Sequence, residues 1–230
     1  MSSKLLITGG LESSFAPALA SGATSVCLDL EDTVPEEMKA ATRKLIPAFI
    51  GMKRLDNCQV AVRLSPLSTR QGLEDILTIL ELSTLPDSLV LTKVESAEEI
   101  LVFDQLLSGT CAHLSFSVII ETPQALARVD SIAVASTRVT SLSFGGKDLS
   151  KASRMSRDWE PMLYARSRIV NAAAAAGIAV FDEPFHPRDD LDGLRQNCLR
   201  SKALGFTGKS TTDIRHPRII NEVFGRSAVG

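Results

Sequence analysis

Short apolar runs recur along this chain, and each is followed by a longer stretch whose apolar positions return at helical spacing. Residues 4–8 (KLLIT) are the first run, closed by Gly9 and Gly10. Phe15, Ala16, Leu19 and Ala20 then predict a helix over 13–21 that Gly22 ends. The stretch 25–34 (SVCLDLEDTV) begins as a buried strand, and Pro35, Glu36 and Glu37 open a helix over 36–50. A strand over 59–64 ending in Arg63 precedes a helix over 71–82. A strand over 88–92 with Lys93 at its end precedes a helix over 97–107. A strand over 114–120 runs into Glu121, and Pro123 sits in the first turn of a helix that reaches about Ala135. Strand 139–144 leads into Gly145, Gly146, Lys147 and Asp148, then a polar segment, 151–160, which reads as a surface loop or lid. An alanine-rich helix over 164–176 closed by Gly177, a strand over 178–181 tipped by Asp182 and Glu183, and a helix over 190–204 closed by Gly205 follow. A strand over 206–210 and a last helix near 217–224 complete the series.

Strict alternation of strand and helix implies a parallel sheet, and eight such units imply a closed (β/α)8 TIM barrel more than an open doubly wound sheet. The open sheet would carry a glycine-rich phosphate fingerprint after its first strand, and GGLESS is not GxGxxG. No low-complexity segment or composition break interrupts the series, so residues 1–230 read as a single domain.

Composition narrows the classes of partner. With 230 residues, 44% of them hydrophobic, the chain can bury one sizeable core. A net charge of −2 gives no electrostatic reason to bind nucleic acid or an anionic membrane, and 5% aromatic residues offer few stacking platforms for bases. The four cysteines are scattered without a CxxC pair, which reads as free thiols in a reducing compartment with no zinc site. The first apolar run is too short for a signal peptide, and no stretch approaches the roughly 20 apolar residues of a membrane span. A soluble, cytoplasmic protein is expected.

Candidate chemistry collects at strand ends. The stretch 25–34 closes with Asp29, Glu31 and Asp32, a cluster of like charges that a buried strand gains nothing from structurally. Asp32 or Thr33 can cap the helix that follows, but alternation puts Asp29 and Glu31 on one face. Arg63, Lys93, Glu121, Lys147 with Asp148, Asp182 with Glu183, and Lys209 occupy corresponding positions, and in a barrel these converge on one face. Glu121 directly follows Ile119 and Ile120, which places it at the rim. Asp148, after Gly145 and Gly146, is the natural second oxygen ligand or else an N-cap. Two carboxylates with waters and a bidentate substrate suit magnesium.

The pieces LASGATSVCLDLEDTVP, VRLSP, LTKVESAEE, VIIETPQAL, LSFGGKDLS, YARSRIVNAAAAAGIAVFD and LRSKALGFTGK occur in order over nearly the whole chain. Through them the chain resembles the citrate lyase beta-subunit-like group of the HpcH/HpaI aldolase superfamily, magnesium-dependent carbon–carbon lyases on TIM barrels. The resemblance implies Glu121 and Asp148 as the ligands of a Mg2+ cofactor. It implies Arg63 as the group that binds the substrate carboxylate or stabilises the developing oxyanion, and Glu31 with Asp32 as the acidic pair behind the metal waters. It adds Lys93 and Gly146 to the substrate-binding residues, without a derived role for the lysine. The expected reaction is cleavage of a citryl-, citramalyl- or malyl-CoA type thioester. Aldol cleavage of free keto acids and thioester hydrolysis are the alternatives, and a non-catalytic barrel is the remaining one. Glu31, Asp32 and Asp182 are candidate bases, and a homo-oligomer, trimer or hexamer, is expected.

Three departures from the family pattern bear on the acyl carrier. SSKLLITGG lacks the family's opening arginine, unless Lys4 substitutes for it. The eighth loop, GKSTTDIRHP, is three residues longer than the family's GKxxIHP, and the sequence stops soon after the eighth helix, where longer relatives carry an extension that holds coenzyme A. Lys151, Arg154 and Arg157 are expected to replace part of the missing anchor.

Overall fold

In the computed structural model, which describes residues 1–52 and 54–225, eight parallel strands pair in chain order and the last returns to the first, closing a barrel. They are β1 (Ser3–Ile7), β2 (Ser25–Asp29), β3 (Gln59–Arg63), β4 (Ser88–Leu91), β5 (Ser115–Ile120), β6 (Val139–Phe144), β7 (Ala179–Asp182) and β8 (Gly208–Thr211). Parallel strands covered by helices are buried on both faces, and β2 and β4 are buried at every residue. Alternate residues such as Leu5, Val26, Val62, Leu89, Val118 and Leu142 face the helices and join the main core. The other set points into the barrel, where Cys27, Ala61 and Val90 pack with Leu6 and Ile119 as an apolar belt.

Several helices depart from the expected spans. The stretch 36–50 breaks into a 3-10 turn (Glu36–Met38) and two helices, Lys39–Arg43 and Ile46–Gly51. Pro47, at the start of the second, has no N–H to continue the first. The stretch from Pro123 likewise divides into Pro123–Ala127 and Val129–Ala133. The expected loop 151–160 begins later than expected: a helix, Gly146–Ser153, takes in Lys151 and ends on Arg154 in the left-handed region at φ 57°, and residues 154–160 are the irregular segment. Its buried residues are Gly146, Leu149 and Ser150, so Leu149 is its one large apolar anchor and no repeat of large apolar residues marks it in the sequence.

The eighth strand starts and ends later than expected. The shift moves Lys209 from the strand's tip into its body, where it is fully buried and its Nζ lies 2.7 Å from Asp182.

Candidate active site

Arg63 closes β3 directly opposite Asp29 of β2, and the register alone brings the two side chains together. Nε and Nη2 of Arg63 donate to the two oxygens of Asp29, both at 2.6 Å, the bidentate fork that a guanidinium is shaped for. The same carboxylate accepts the N–H of Glu31 at 2.9 Å, the N–H of Thr33 at 3.0 Å and the Thr33 hydroxyl at 2.6 Å. The turn after β2 is therefore wound around Asp29. Burial would raise this carboxyl, but the Arg63 guanidinium and the Thr33 hydroxyl hold it below the usual carboxylate range.

This geometry corrects two expectations. Asp29 has no capacity left for acid/base work or for a cation. Neither Asp32 nor Thr33 caps a helix: the turn at Glu36 has Pro35 at its cap with no side-chain bond, and the Thr33 hydroxyl goes to Asp29. Asp32 is exposed and lines the mouth of the central cavity. Glu31 is buried, with Oε2 at 2.9 Å from Arg63 Nη1, yet that oxygen makes no aligned hydrogen bond. Burial pushes the Glu31 carboxyl up to about 7, with Asp32 and Glu121 adding to the rise and Arg63 opposing it.

Glu121, Asp148 and Lys93 meet beside them, beyond the ends of β4, β5 and β6. Lys93 follows β4 with φ 52°, a left-handed conformation uncommon for a lysine and concentrated at functional sites. Its N–H donates to Glu121 Oε1 at 2.9 Å, its Nζ lies 3.4 Å from Glu121 Oε2, and the same ammonium contacts Asp148. Burial raises the Glu121 carboxyl. Burial also acts on Asp148, but the Lys93 hydrogen bond outweighs it and holds that carboxyl down. Asp148 lies in the first turn of its helix, and Gly145, not Asp148, is the cap. A side chain at Gly145 would strike Glu121, and one at Gly146 would strike the Glu183 carboxylate, so both glycines are required by close packing. Gly146 also lines the cavity.

Two carboxylates brought together around one ammonium are a donor set that fits magnesium. That ion takes one or two protein carboxylates and keeps several waters, so it needs no cage of three or more ligands. Among the described residues there is no such cage of histidine, cysteine and carboxylate groups.

Asp182 drops out as a base. It is fully buried and accepts from Ser201 Oγ at 2.6 Å, Lys209 Nζ at 2.7 Å and Arg166 Nε at 3.3 Å. Its neighbour Glu183 does line the cavity, held by Arg166 at 2.8 Å and Arg157 at 2.6 Å. Arg166, which sequence reasoning missed, is packed against the rings of Phe144 and Trp159. An arginine inside an alanine-rich helix was the available signal. The cavity, about 270 Å³, runs from Asp32, Arg63, Glu121 and Asp148 at its mouth to Lys4 inside the barrel.

The family profile for HpcH/HpaI aldolase/citrate lyase matches residues 5–214. An L-malyl-CoA/beta-methylmalyl-CoA lyase of Cereibacter sphaeroides is 30% identical over 91% of this chain and 74% of its own length. The crystal structure of RipC from Yersinia pestis superposes with a TM-score of 0.85 at 32% identity, covering 99% of this chain and 96% of that one. A citrate lyase beta subunit from M. tuberculosis, solved with oxaloacetate and magnesium, shares the fold with a TM-score of 0.82 at 23% identity, over 97% and 96% of the two chains.

Proposed function

The chain belongs to the HpcH/HpaI aldolase/citrate lyase family, and from that premise we propose that it is a magnesium-dependent carbon–carbon lyase. Its substrate is a 3-hydroxy-carboxyacyl thioester of citryl-, citramalyl- or malyl-CoA type, and its products are a keto acid and an acyl thioester. The observation that carries this reading is the meeting of Glu121 and Asp148 around Lys93, in one cavity with an Arg63 locked by Asp29. The relatives act on malyl-CoA, or are bound to oxaloacetate and magnesium, by their names.

Glu121 and Asp148 would hold the metal, which supplies Lewis acidity toward the substrate's hydroxyl and carboxylate oxygens. Arg63 faces the same space with its fork fixed, so it can complement negative charge as it grows without reorganising. Burial raises the Glu31 carboxyl and it stands beside Arg63, which suits a group that takes a proton and returns it. Asp32, exposed at the mouth, is the second member of that acidic pair. The backbone N–H groups in the first turn of helix Gly146–Ser153 border the cavity and favour an anionic substrate.

The test is release of keto acid from malyl-, citramalyl- and citryl-CoA, measured with magnesium and after chelation. Cleavage of at least one, lost on chelation and restored by the metal, is expected; none with any of the three removes the reading. Arg63→Lys keeps the charge but loses the fork to Asp29 that fixes the guanidinium, and with it the remaining N–H groups that face the cavity. Its turnover is expected to fall at least about tenfold, the loss of one transition-state contact. Unchanged kinetics would make Arg63 purely structural.

One observation favours the free keto-acid aldolase as the second reading. Of the basic residues expected to hold coenzyme A, Arg157 is committed to Glu183, which leaves Lys151 and Arg154 exposed beyond it. Acetyl-CoA binding is therefore expected to be weak and to weaken further with salt, because exposed charges are screened within about 10 Å at 0.1 M. Calorimetry on the parent and the Arg154→Ala, Arg157→Ala variant checks this. Tight, salt-insensitive binding would refute the anchor, and no binding at any salt would put the aldolase first.

The same proposal includes a single catalytic domain over residues 1–230, of which 53 and 226–230 lie outside the described residues, and a homo-oligomer, trimer or hexamer. Leu73, Leu77 and Leu80 form an exposed stripe on helix Arg70–Glu81, which supports self-association. Among the described residues no helix is long and apolar enough to cross a membrane. The four free cysteines support the cytoplasm as the location.

A further inference from the structure

The chemistry above leaves one cation inside the barrel unused. Lys4, on β1, donates to Ser117 Oγ of β5 at 2.7 Å and Ser141 Oγ of β6 at 2.9 Å, and its Nζ lies 3.9 Å from the centre of the Phe181 ring. Four other cations, on the barrel strands, at their ends or packed on them, face carboxylates: Arg63 faces Asp29 and Glu31, Lys93 faces Glu121 and Asp148, and Lys209 and Arg166 face Asp182. Among the described residues no carboxylate lies within ion-pair distance of Lys4. Burial accordingly pushes its ammonium down to about 7.

Lys4 is connected to the site. It lines the same cavity as Arg63, Glu121 and Asp148, together with Ser117 and Ser210. Between the two polar ends, Leu6, Cys27, Val90 and Ile119 form an apolar collar. Ser117, Ile119 and Glu121 line the cavity from one strand and its end, and four residues of strand put the floor about 13 Å below the rim at ~3.3 Å per residue. The cavity thus has an acidic and arginine-bearing mouth, a greasy middle and a basic, hydroxyl-lined floor.

We propose that this floor binds a second, distal carboxylate of the substrate, so that the keto-acid half carries an unbranched apolar chain through the collar to an acid group on Lys4 and Ser117. The inference rests on the reading that Glu121 and Asp148 hold the 2-oxo acid head. An ammonium has three donors, of which two are used, so one remains for a ligand. A carboxylate arriving there gains charge-assisted hydrogen bonds, whereas a methyl-ended chain leaves the lysine desolvated and unpaired. That asymmetry selects a diacid over a monoacid of equal length.

Calorimetry on the full chain with magnesium tests it, using 2-oxoadipate, 2-oxopimelate and 2-oxosuberate against the 2-oxo monoacids of equal carbon number, with pyruvate as the head-only probe. At least one diacid is expected to bind about tenfold or more tightly than its monoacid, the ratio that one hydrogen bond to a charged group supports. In Lys4→Met that ratio is expected to fall to about one. Should Lys4→Met not fold, Lys4→Gln, which keeps a donor to Ser117 and Ser141 but removes the charge, carries the test, and its ratio must fall as well. No diacid preference at any length, or a preference that survives these changes, overturns the inference while magnesium-dependent pyruvate binding leaves the head reading standing. Absence of pyruvate binding removes the head reading, and this inference with it.

Discussion

Glu121→Gln and Asp148→Asn are each expected to lower magnesium-dependent turnover by roughly three orders of magnitude with the barrel intact. Each change keeps the shape of the side chain and removes one anionic oxygen pair from a site that brings two together. A bound metal is worth several kcal/mol of transition-state stabilisation, and each 1.36 kcal/mol is tenfold in rate, so loss of a ligand is on the order of 10³. Stability should move the other way, or little. Burial already disfavours the Glu121 carboxylate, so a neutral amide there relieves a cost, and Asp148 is only partly buried. Turnover across a magnesium titration, with thermal melting of each variant, separates the two effects. Parental activity at unchanged magnesium affinity would remove that residue from the ligand set, and a large drop in melting temperature would assign it to the fold.

Asp29→Ala has the opposite profile: it is expected to destabilise the protein by about 3–5 kcal/mol, the cost of leaving one partner of a buried ion pair alone. The variant orphans a buried Arg63 and unties the N–H groups of Glu31 and Thr33, so the turn that carries Glu31 and Asp32 loosens as well. Turnover should therefore fall too, although Asp29 never touches substrate. Urea denaturation measures the stability, and the double variant Asp29→Ala, Arg63→Ala should cost less than the sum of the singles, because no charge is left unpaired. The pH dependence has a definite sign. The Asp29 carboxyl is held below the usual range in the folded chain, so its contribution is complete above the ordinary carboxylate pKa. It is lost as pH falls through the lower, folded value, because the unfolded chain takes up the proton first. Asp29→Asn should lack that part of the acid-induced loss. A cost below about 1 kcal/mol would place the pair with ordinary surface salt bridges and sink this account.

How far the site was legible differs residue by residue. Glu121 and Arg63 could be placed at strand ends from local pattern, because an apolar strand that stops at a charge puts that charge at the rim, and Asp148 follows β6 within one turn. Asp29 could not be told from Glu31 and Asp32 in the same way. Its fate depends on Arg63, which stands 34 residues away and arrives opposite it through the β2–β3 register. Asp182 and Glu183 are adjacent in sequence and opposite in role. Alternation turns one toward Ser201 and Lys209 and the other into the cavity, and a one-residue uncertainty in β7 exchanges them.

The sequence by itself determined the alternation of strand and helix, and with it the closed parallel barrel and the end at which charge collects. Those are consequences of short-range periodicity, which every residue reports about its own neighbourhood. Tertiary structure alone decided which charges neutralise one another. Lys93 lies between Glu121 and Asp148, Arg63 is spoken for by Asp29, and Lys209 is withdrawn to Asp182. It also decided that Lys4 faces only hydroxyls and an aromatic ring at the cavity floor. Coulomb energy and desolvation depend on distances between groups from different strands, and those distances come into being only when the barrel closes.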